Sequence, residues 1–335
     1  MKILVTGCAG FIGFFLTRKF LNEGHEVVGV DNINNYYSQS LKEDRLKQLG
    51  IYFDCSTGKY NCTNNKLTFI KSDVEDELLY SQQLANFQFD AICHLAAQAG
   101  VRYSITHPEA YINSNIFGFF RMLEYCRKNP VKKFIYASSS SVYGKNSSIP
   151  YREEDPTETP VSLYAATKKS NELLAHSYAE LYGIHTIGLR FFTVYGPWGR
   201  PDMAPFIFTK AIIENQPIRI YNQGNMSRDF TYIDDIIEGI YKITTSDPLT
   251  SDPSQSFQIY NIGNSQPVNL RDFISQIEEL TEKKAIKIYE PMQPGDVKDT
   301  WADTGKLQKD YNYKPQTLLR TGLSAFINWY KEYYK

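Results

Sequence analysis

The sequence predicts an α/β protein: a Rossmann-type doubly wound parallel sheet with a smaller, irregular α/β lobe beside it. Three observations carry that reading. Short β-branched runs alternate with helix-period segments through the first part of the chain, and the cluster "TGCAGFIG" sits between the first run and the first helical segment. After Gly196 the alternation breaks into Pro- and Gly-rich stretches. The chain has 335 residues, 42% of them hydrophobic, which is enough to bury a large core.

Taken in order, "KILVTG" predicts a buried strand, "FIGFFLTRKFLNEG" an amphipathic helix and "HEVVGVD" a second strand, the βαβ signature of a parallel sheet. Further strands are expected at "LTFIKSD", "FDAICHLAA", "KKFIYASSS" and "HTIGLRFFTVYG". Between Val161 and Gly183 apolar residues recur three and four apart and Gly183 is placed to end the segment, so a helix is expected there. Beyond Gly196, "GPWGRPDMAP", "QPIRIYNQGNMSRDFTYIDD" and "TTSDPLTSDPSQS" read as an irregular lobe with a helix at "NLRDFISQIEELTEKK". The expected division is a dinucleotide-binding domain over 1–190, joined by part of 227–262, and a discontinuous substrate lobe over 191–335.

A net charge of −1 offers no basic face for nucleic acid or for an anionic membrane, so an acidic substrate has to be met by local arginines. The five cysteines are odd in number and scattered, as expected of reduced thiols in a cytoplasmic protein. "CSTGKYNC" has no second Cys or His pair to complete a metal site and reads as a surface insertion; no metal is expected. The first apolar run is too short for a signal peptide, and no stretch reaches the length of a membrane span.

Gly7, Gly10 and Gly13 fall where the first strand meets the first helix, which keeps side chains out of the path of a pyrophosphate and aims backbone N–H groups at its charge. The second strand ends on Asp31, an acceptor for adenosine ribose hydroxyls that would repel a 2′-phosphate. The expected cofactor is therefore NAD and not NADP. Asp73 and Val74, just after the next strand, are candidates for the adenine edge, with helix capping as the alternative role of Asp73. Tyr164 and Lys168 lie four apart on the expected helix and share one face. Four serines, Ser138 to Ser141, end the "KKFIYASSS" strand where a nicotinamide ring would lie.

With these motifs in order, together with "HLAAQAG", "YINSNIFG", "ASSSSVYG", "YAATK", "RDFTYIDD" and "GDVKDTWAD", the whole chain resembles the extended short-chain dehydrogenase/reductase family. The resemblance implies a catalytic set of Ser139, Tyr164 and Lys168. It implies cofactor contacts from Gly7, Gly10, Phe11, Ile12, Gly13, Asp31, Asn32, Asp73, Val74, Leu95, Ala96, Ala97 and Asn115, with Tyr164 and Lys168. An ammonium about 4 Å from the phenol is worth roughly 4 kcal/mol, so Lys168 is expected to draw Tyr164 down by about three pK units. Lys168 would also hold the nicotinamide ribose, and Ser139 would donate to the substrate oxygen that becomes a carbonyl.

Within the family, 4,6-dehydratases carry Asp-Glu where this chain has Ser140 and Ser141, which disfavours dehydration. What the resemblance leaves is C4 epimerisation of a UDP-sugar through a transient 4-keto intermediate with NAD retained. "RFFTVYGPWGRPDMAPFIFTK", "QAGVRYS" and "MQPGDV" resemble the UDP-glucuronate 4-epimerases in particular. Arg200 is then the candidate partner of a C6 carboxylate, completed by Thr193, Ser140 and Ser141, with Arg102 a weaker candidate. Fixing that carboxylate would suppress loss of CO₂ from the β-keto acid. Arg228 and Asp296 match the family's diphosphate and uridine-ribose contacts, and Gln293 stands where UDP-galactose 4-epimerases have Arg. UDP-N-acetylhexosamine or UDP-hexose epimerisation, UDP-glucuronate decarboxylation and a non-catalytic NAD-binding role are the alternatives. The resemblance further implies a homodimer built on the helices at "YINSNIFGFFRMLEYCRK" and "LYAATKKSNELLAHSYAEL".

Overall fold

The computed structural model describes residues 1–146, 148–249, 256–292 and 298–335. The first part runs β1 (Lys2–Thr6), α1 (Phe11–Asn22), β2 (Glu26–Asp31), α2 (Gln39–Gln48), a hairpin of β3 (Ile51–Asp54) and β4 (Lys59–Cys62), β5 (Leu67–Lys71) and β6 (Ala91–His94). The short helices α3 (Tyr103–Thr106) and α4 (Pro108–Tyr111) and a π-helical stretch (Ile112–Gly118) lead into α5 (Phe119–Lys128), β7 (Lys133–Ser139), α6 (Leu163–Tyr182) and β8 (Thr186–Phe191). The second part comprises β9 (Thr193–Tyr195), α7 (Ala204–Ile213), β10 (Pro217–Tyr221), β11 (Ser227–Tyr232), α8 (Ile233–Thr245), β12 (Phe257–Ile262) and β13 (Pro267–Asn269). It closes with α9 (Leu270–Thr281), β14 (Ile286–Glu290), β15 (Asp299–Thr300), α10 (Gly305–Tyr311) and α11 (Leu319–Tyr333).

Seven strands form one all-parallel sheet in the order β12-β8-β7-β6-β1-β2-β5. Alternation along each strand feeds two cores. In β1, Ile3 and Val5 face Phe14, Phe20 and the α8 isoleucines, whereas Leu4 faces Phe119, Met122 and Phe134. Both faces are covered, which is why these strands read as continuous apolar runs. A third core, centred on Phe206, Ile220, Phe230, Phe273 and Phe326, fills the lobe.

One expected element differs in detail. "HTIGLRFFTVYG" is two strands: β8 stays in the large sheet, and after Phe192 the chain turns so that Thr193–Tyr195 pairs with β11 of the lobe. The stretch 227–262 divides between the two parts. β11 joins the small sheet with β13 and β15, whereas β12 returns as an outer strand of the large one. The "CSTGKYNC" segment is the β3–β4 hairpin with Cys55 exposed at its turn, and all five cysteines are free thiols. Among the described residues no helix is long and apolar enough to cross a membrane, and no cluster of His, Cys, Asp or Glu has the makings of a metal site.

Candidate active site

A cavity of about 1200 Å³ runs from the carboxyl ends of the parallel strands into the lobe, where open α/β sheets take their ligands. Its floor is the β1–α1 turn. Gly7 has φ +74°, donates to the Val30 carbonyl at 2.7 Å and accepts from Gly10 N–H at 2.9 Å. A Cβ on Gly13 would stand 2.0 Å from the Gly7 oxygen, so the turn and the helix can only meet without one. Gly10 caps α1 without a side-chain hydrogen bond, and the first turn holds no acid. Its N–H groups are thus left to an anionic ligand, which is the fit an NAD pyrophosphate requires.

Asp31 closes the same floor, with one oxygen taking the Ala9 N–H at 3.0 Å and the other the Ile33 N–H at 2.8 Å. Each oxygen keeps a second lone pair for a ribose hydroxyl. Phe11, Ile12, Asn32, Val74, Leu95, Ala96 and Ala97 also line the cavity. Asp73 and Asn115 do not. The Asp73 carboxylate is turned to Asn32 Nδ2 at 2.6 Å. Asn115 is buried, donates to the Gln98 carbonyl and Thr167 Oγ1, both at 3.0 Å, and accepts from Gln98 N–H at 2.8 Å. It braces the strand end that carries the cavity wall and does not itself reach the cavity.

Ser139, Tyr164 and Lys168 stand together on the wall. Ser139 is the last residue of β7, and its Oγ accepts from Ser141 N–H at 3.2 Å as the chain turns into a short 3₁₀ segment. Tyr164 is in the first turn of α6, whose N-cap Ser162 accepts from Ala165 N–H at 3.1 Å. Lys168, one turn on, is 4% exposed and donates from Nζ to the Ala137 carbonyl at 2.8 Å. The electrostatics of the pair differ from the expected lowering of Tyr164 by Lys168. Burial raises the Tyr164 phenol above its ordinary value, opposed by its hydrogen bond with Ser139 and by the charge of Arg200. Burial also lowers Lys168 to about 7, and its Nζ is aimed at the Ala137 carbonyl.

On the lobe side, Arg102, Ser140, Ser141, Thr193, Arg200 and Arg228 line the cavity, whereas Gln293 and Asp296 lie outside the described residues. Arg228 donates from Nη1 to the Ser227 and Lys298 carbonyls at 2.9 and 2.8 Å. Arg102 lies over the Tyr221 ring, 5.3 Å from its centroid. Arg200 gives its Nε and Nη2 edge to Asp202 at 3.0 and 2.5 Å. Burial works against that guanidinium charge and Asp202 outweighs it, so Arg200 is held charged.

Sequence reasoning missed Tyr36, Lys42 and Asp202, all of which line the cavity. Tyr36 donates to Asp202 at 2.9 Å, and Lys42 Nζ donates to the Asn34 carbonyl and Oδ1 at 2.9 and 2.6 Å. The signal for Asp202 was present, an acid two residues beyond the arginine in "GRPD". Tyr36 and Lys42 gave none, because only the folded loop after Asp31 and the start of α2 turn them inward.

A parallel sheet with a glycine turn, an acid closing its second strand and a Ser–Tyr–Lys set at the strand ends defines a dinucleotide-dependent enzyme of the extended short-chain dehydrogenase/reductase type. The chain belongs to the NAD dependent epimerase/dehydratase family, whose model matches residues 3–263. It is 51% identical to Protein CapI of Staphylococcus aureus and 41% identical to the probable UDP-glucuronate 4-epimerase of Rhizobium meliloti; each alignment spans all of this chain and at least 98% of the relative. Among solved structures it is similar to the UDP-glucuronic acid 4-epimerase of Bacillus cereus in complex with UDP-glucuronic acid and NAD. That match has 35% identity and a TM-score of 0.88 and covers both chains in full.

Proposed function

We propose that the protein is an NAD-dependent UDP-glucuronate 4-epimerase, interconverting UDP-glucuronate and UDP-galacturonate without decarboxylation. The observation that carries this reading is the placement of Arg200 in the same cavity as Ser139, Tyr164 and Lys168, so that a carboxylate and a sugar C4 hydroxyl can be met at once. Bound NAD supplies the hydride acceptor and donor. Tyr164 exchanges the proton of the C4 hydroxyl, Ser139 shares that hydrogen bond, and Lys168 holds the adjoining ribose. Asp202 occupies the Nε–Nη2 edge of Arg200, so Nη1 is the donor assigned to the C6 carboxylate beside Thr193, Ser140 and Ser141. Arg228, on β11 of the lobe, is assigned to the diphosphate, and Arg102 remains a weaker candidate for the carboxylate.

Arg200→Ala tests the reading through product distribution, followed by mass and NMR with UDP-glucuronate. The variant is expected to raise KM and to release some UDP-pentose, because a freed carboxylate can rotate into the orientation that loses CO₂. Arg200→Lys should restore binding only in part, since an ammonium lacks the planar fork. Unchanged turnover without pentose would remove Arg200 from the site.

We also infer a homodimer. The stretch Ile112–Gly118, α5 and the neighbouring α6 leave Phe117, Phe120, Leu173 and Leu181 exposed, Leu181 by 71%. An apolar set of this kind on adjacent helices marks a protein contact. Sedimentation of Leu173→Glu is expected to show a monomer where the parent chain gives a dimer; a monomeric parent would refute the assignment.

A further inference from the structure

Arg45 belongs to α2, outside every motif so far used, and is 0% exposed. A buried guanidinium normally stands against a carboxylate. Among the described residues Arg45 pairs with none. Its donors go instead to Tyr37 Oη at 2.7 Å and to the backbone of two segments that carry residues lining the cavity. Nη1 donates to the Ala9 carbonyl at 2.9 Å, inside the glycine turn. Nε and Nη2 fork onto the Trp198 carbonyl at 3.2 and 2.6 Å, two residues before Arg200.

The Trp198 end of this bridge is held in an unusual conformation. Its φ is +60°, left-handed backbone that a tryptophan adopts only when its surroundings impose it. The ring is fixed by Phe14 of α1 at 6.0 Å and by Trp329 and Tyr333 of α11 at 5.4 and 5.1 Å. With ring and carbonyl both clamped, the peptide direction entering Gly199 and Arg200 is set.

We infer that Arg45 is a positioning residue that ties the dinucleotide turn to the Arg200 loop, so that the arm meeting the sugar carboxylate is registered against the nucleotide floor. The inference rests on the reading that Arg200 meets that carboxylate. Fork geometry is what the arrangement needs: one side chain must satisfy two carbonyls on separate segments and a phenol, which the compact ammonium of a lysine does not span.

The test is a double-mutant cycle on the NAD-loaded enzyme, with KM and kcat for UDP-glucuronate measured for Arg45→Lys, Arg200→Ala and the pair. Arg45→Lys is expected to raise KM by about tenfold with a smaller change in kcat, as for a contact made alike in ground and transition states. In the Arg200→Ala background the same change should move KM by less than about twofold, since residues acting through one contact are not additive. A purely structural Arg45 would lower the unfolding midpoint and act equally in both backgrounds, and that result overturns the inference while leaving the carboxylate reading intact. A KM unmoved by Arg200→Ala alone overturns the carboxylate reading and the inference with it. If Arg45→Lys does not fold, Tyr37→Phe, which removes one acceptor of Nη1, takes its place in the cycle; a KM shift that is equal in the two backgrounds, or absent, overturns the inference.

Discussion

At the scale of single residues, the reactive group is defined by what surrounds it. Tyr164 is raised by burial and tempered by Ser139 and Arg200, while Lys168 is lowered to about 7. Tyr164→Phe keeps the ring and removes only the ionisable oxygen. It is expected to cut turnover by about 10²–10⁴-fold while the purified protein still carries NAD. Turnover assays beside the nucleotide content of heat-released supernatant check both halves, and near-normal turnover would assign the proton to another group. The Tyr–Lys spacing, the glycines and Asp31 were legible because each is a local pattern with a geometric consequence. The electrostatic balance was not, because the direction of Lys168 toward the Ala137 carbonyl and the burial of Tyr164 depend on β7 and on the lobe above it. Asn115 was legible as a position but not as a role. Its amide is satisfied by Gln98 and Thr167, from strand and helix ends remote in sequence.

At the scale of elements, the β1–α1 turn and the end of α6 use glycine for different reasons, which substitution separates. Gly13 is a close-approach glycine: an added Cβ meets the Gly7 oxygen at 2.0 Å and the Gly7 carbonyl carbon at 2.7 Å. Gly13→Ala must push α1 off the turn, and is expected to cost roughly 1–3 kcal/mol and to release NAD. Gly183 has open space around its Cβ position, but its φ is +65° as the left-handed end of α6. Gly183→Ala should therefore cost about 1 kcal/mol in urea unfolding and leave NAD content unchanged. Equal NAD loss in both variants would show that stability alone sets cofactor retention. The turn and the helix end were readable from sequence because each places its glycine at a boundary between hydrophobic periods. The division of "HTIGLRFFTVYG" between two sheets was not, since both halves have the same β-branched and aromatic character and only the partner strands β12 and β11 distinguish them.

For the whole molecule, a central buried histidine links acid stability to the sheet. His94 ends β6 in the middle of the seven strands, with Phe119 and Phe134 against its ring and Nδ1 at 2.9 Å from Thr6 Oγ1. The same hydroxyl accepts from Ala96 N–H at 3.1 Å, so the Thr6 side chain ties the ring to the chain that leaves β6. Burial first, and the Lys168 charge second, lower His94 to about 3. The unfolded chain, with a histidine near 6.5, binds the proton that the folded chain refuses through the interval between those values, so stability rises with pH across it and is lost as pH falls. His25 and His185 are also lowered by burial and act with the same sign, so the wild-type slope alone does not isolate His94. The difference between wild type and His94→Gln does. Urea unfolding from about pH 6.5 down to about pH 5 is expected to show wild-type stability falling more steeply than the variant's, by up to about 1.4 kcal/mol per pH unit. The variant starts lower, having lost the Thr6 contact, and the two curves should converge toward acid. Parallel curves would mean that the folded protein accepts a proton on His94 by rearranging the centre of the sheet, and that the rigidity of the strand ends around Lys168 does not extend to the residue behind them.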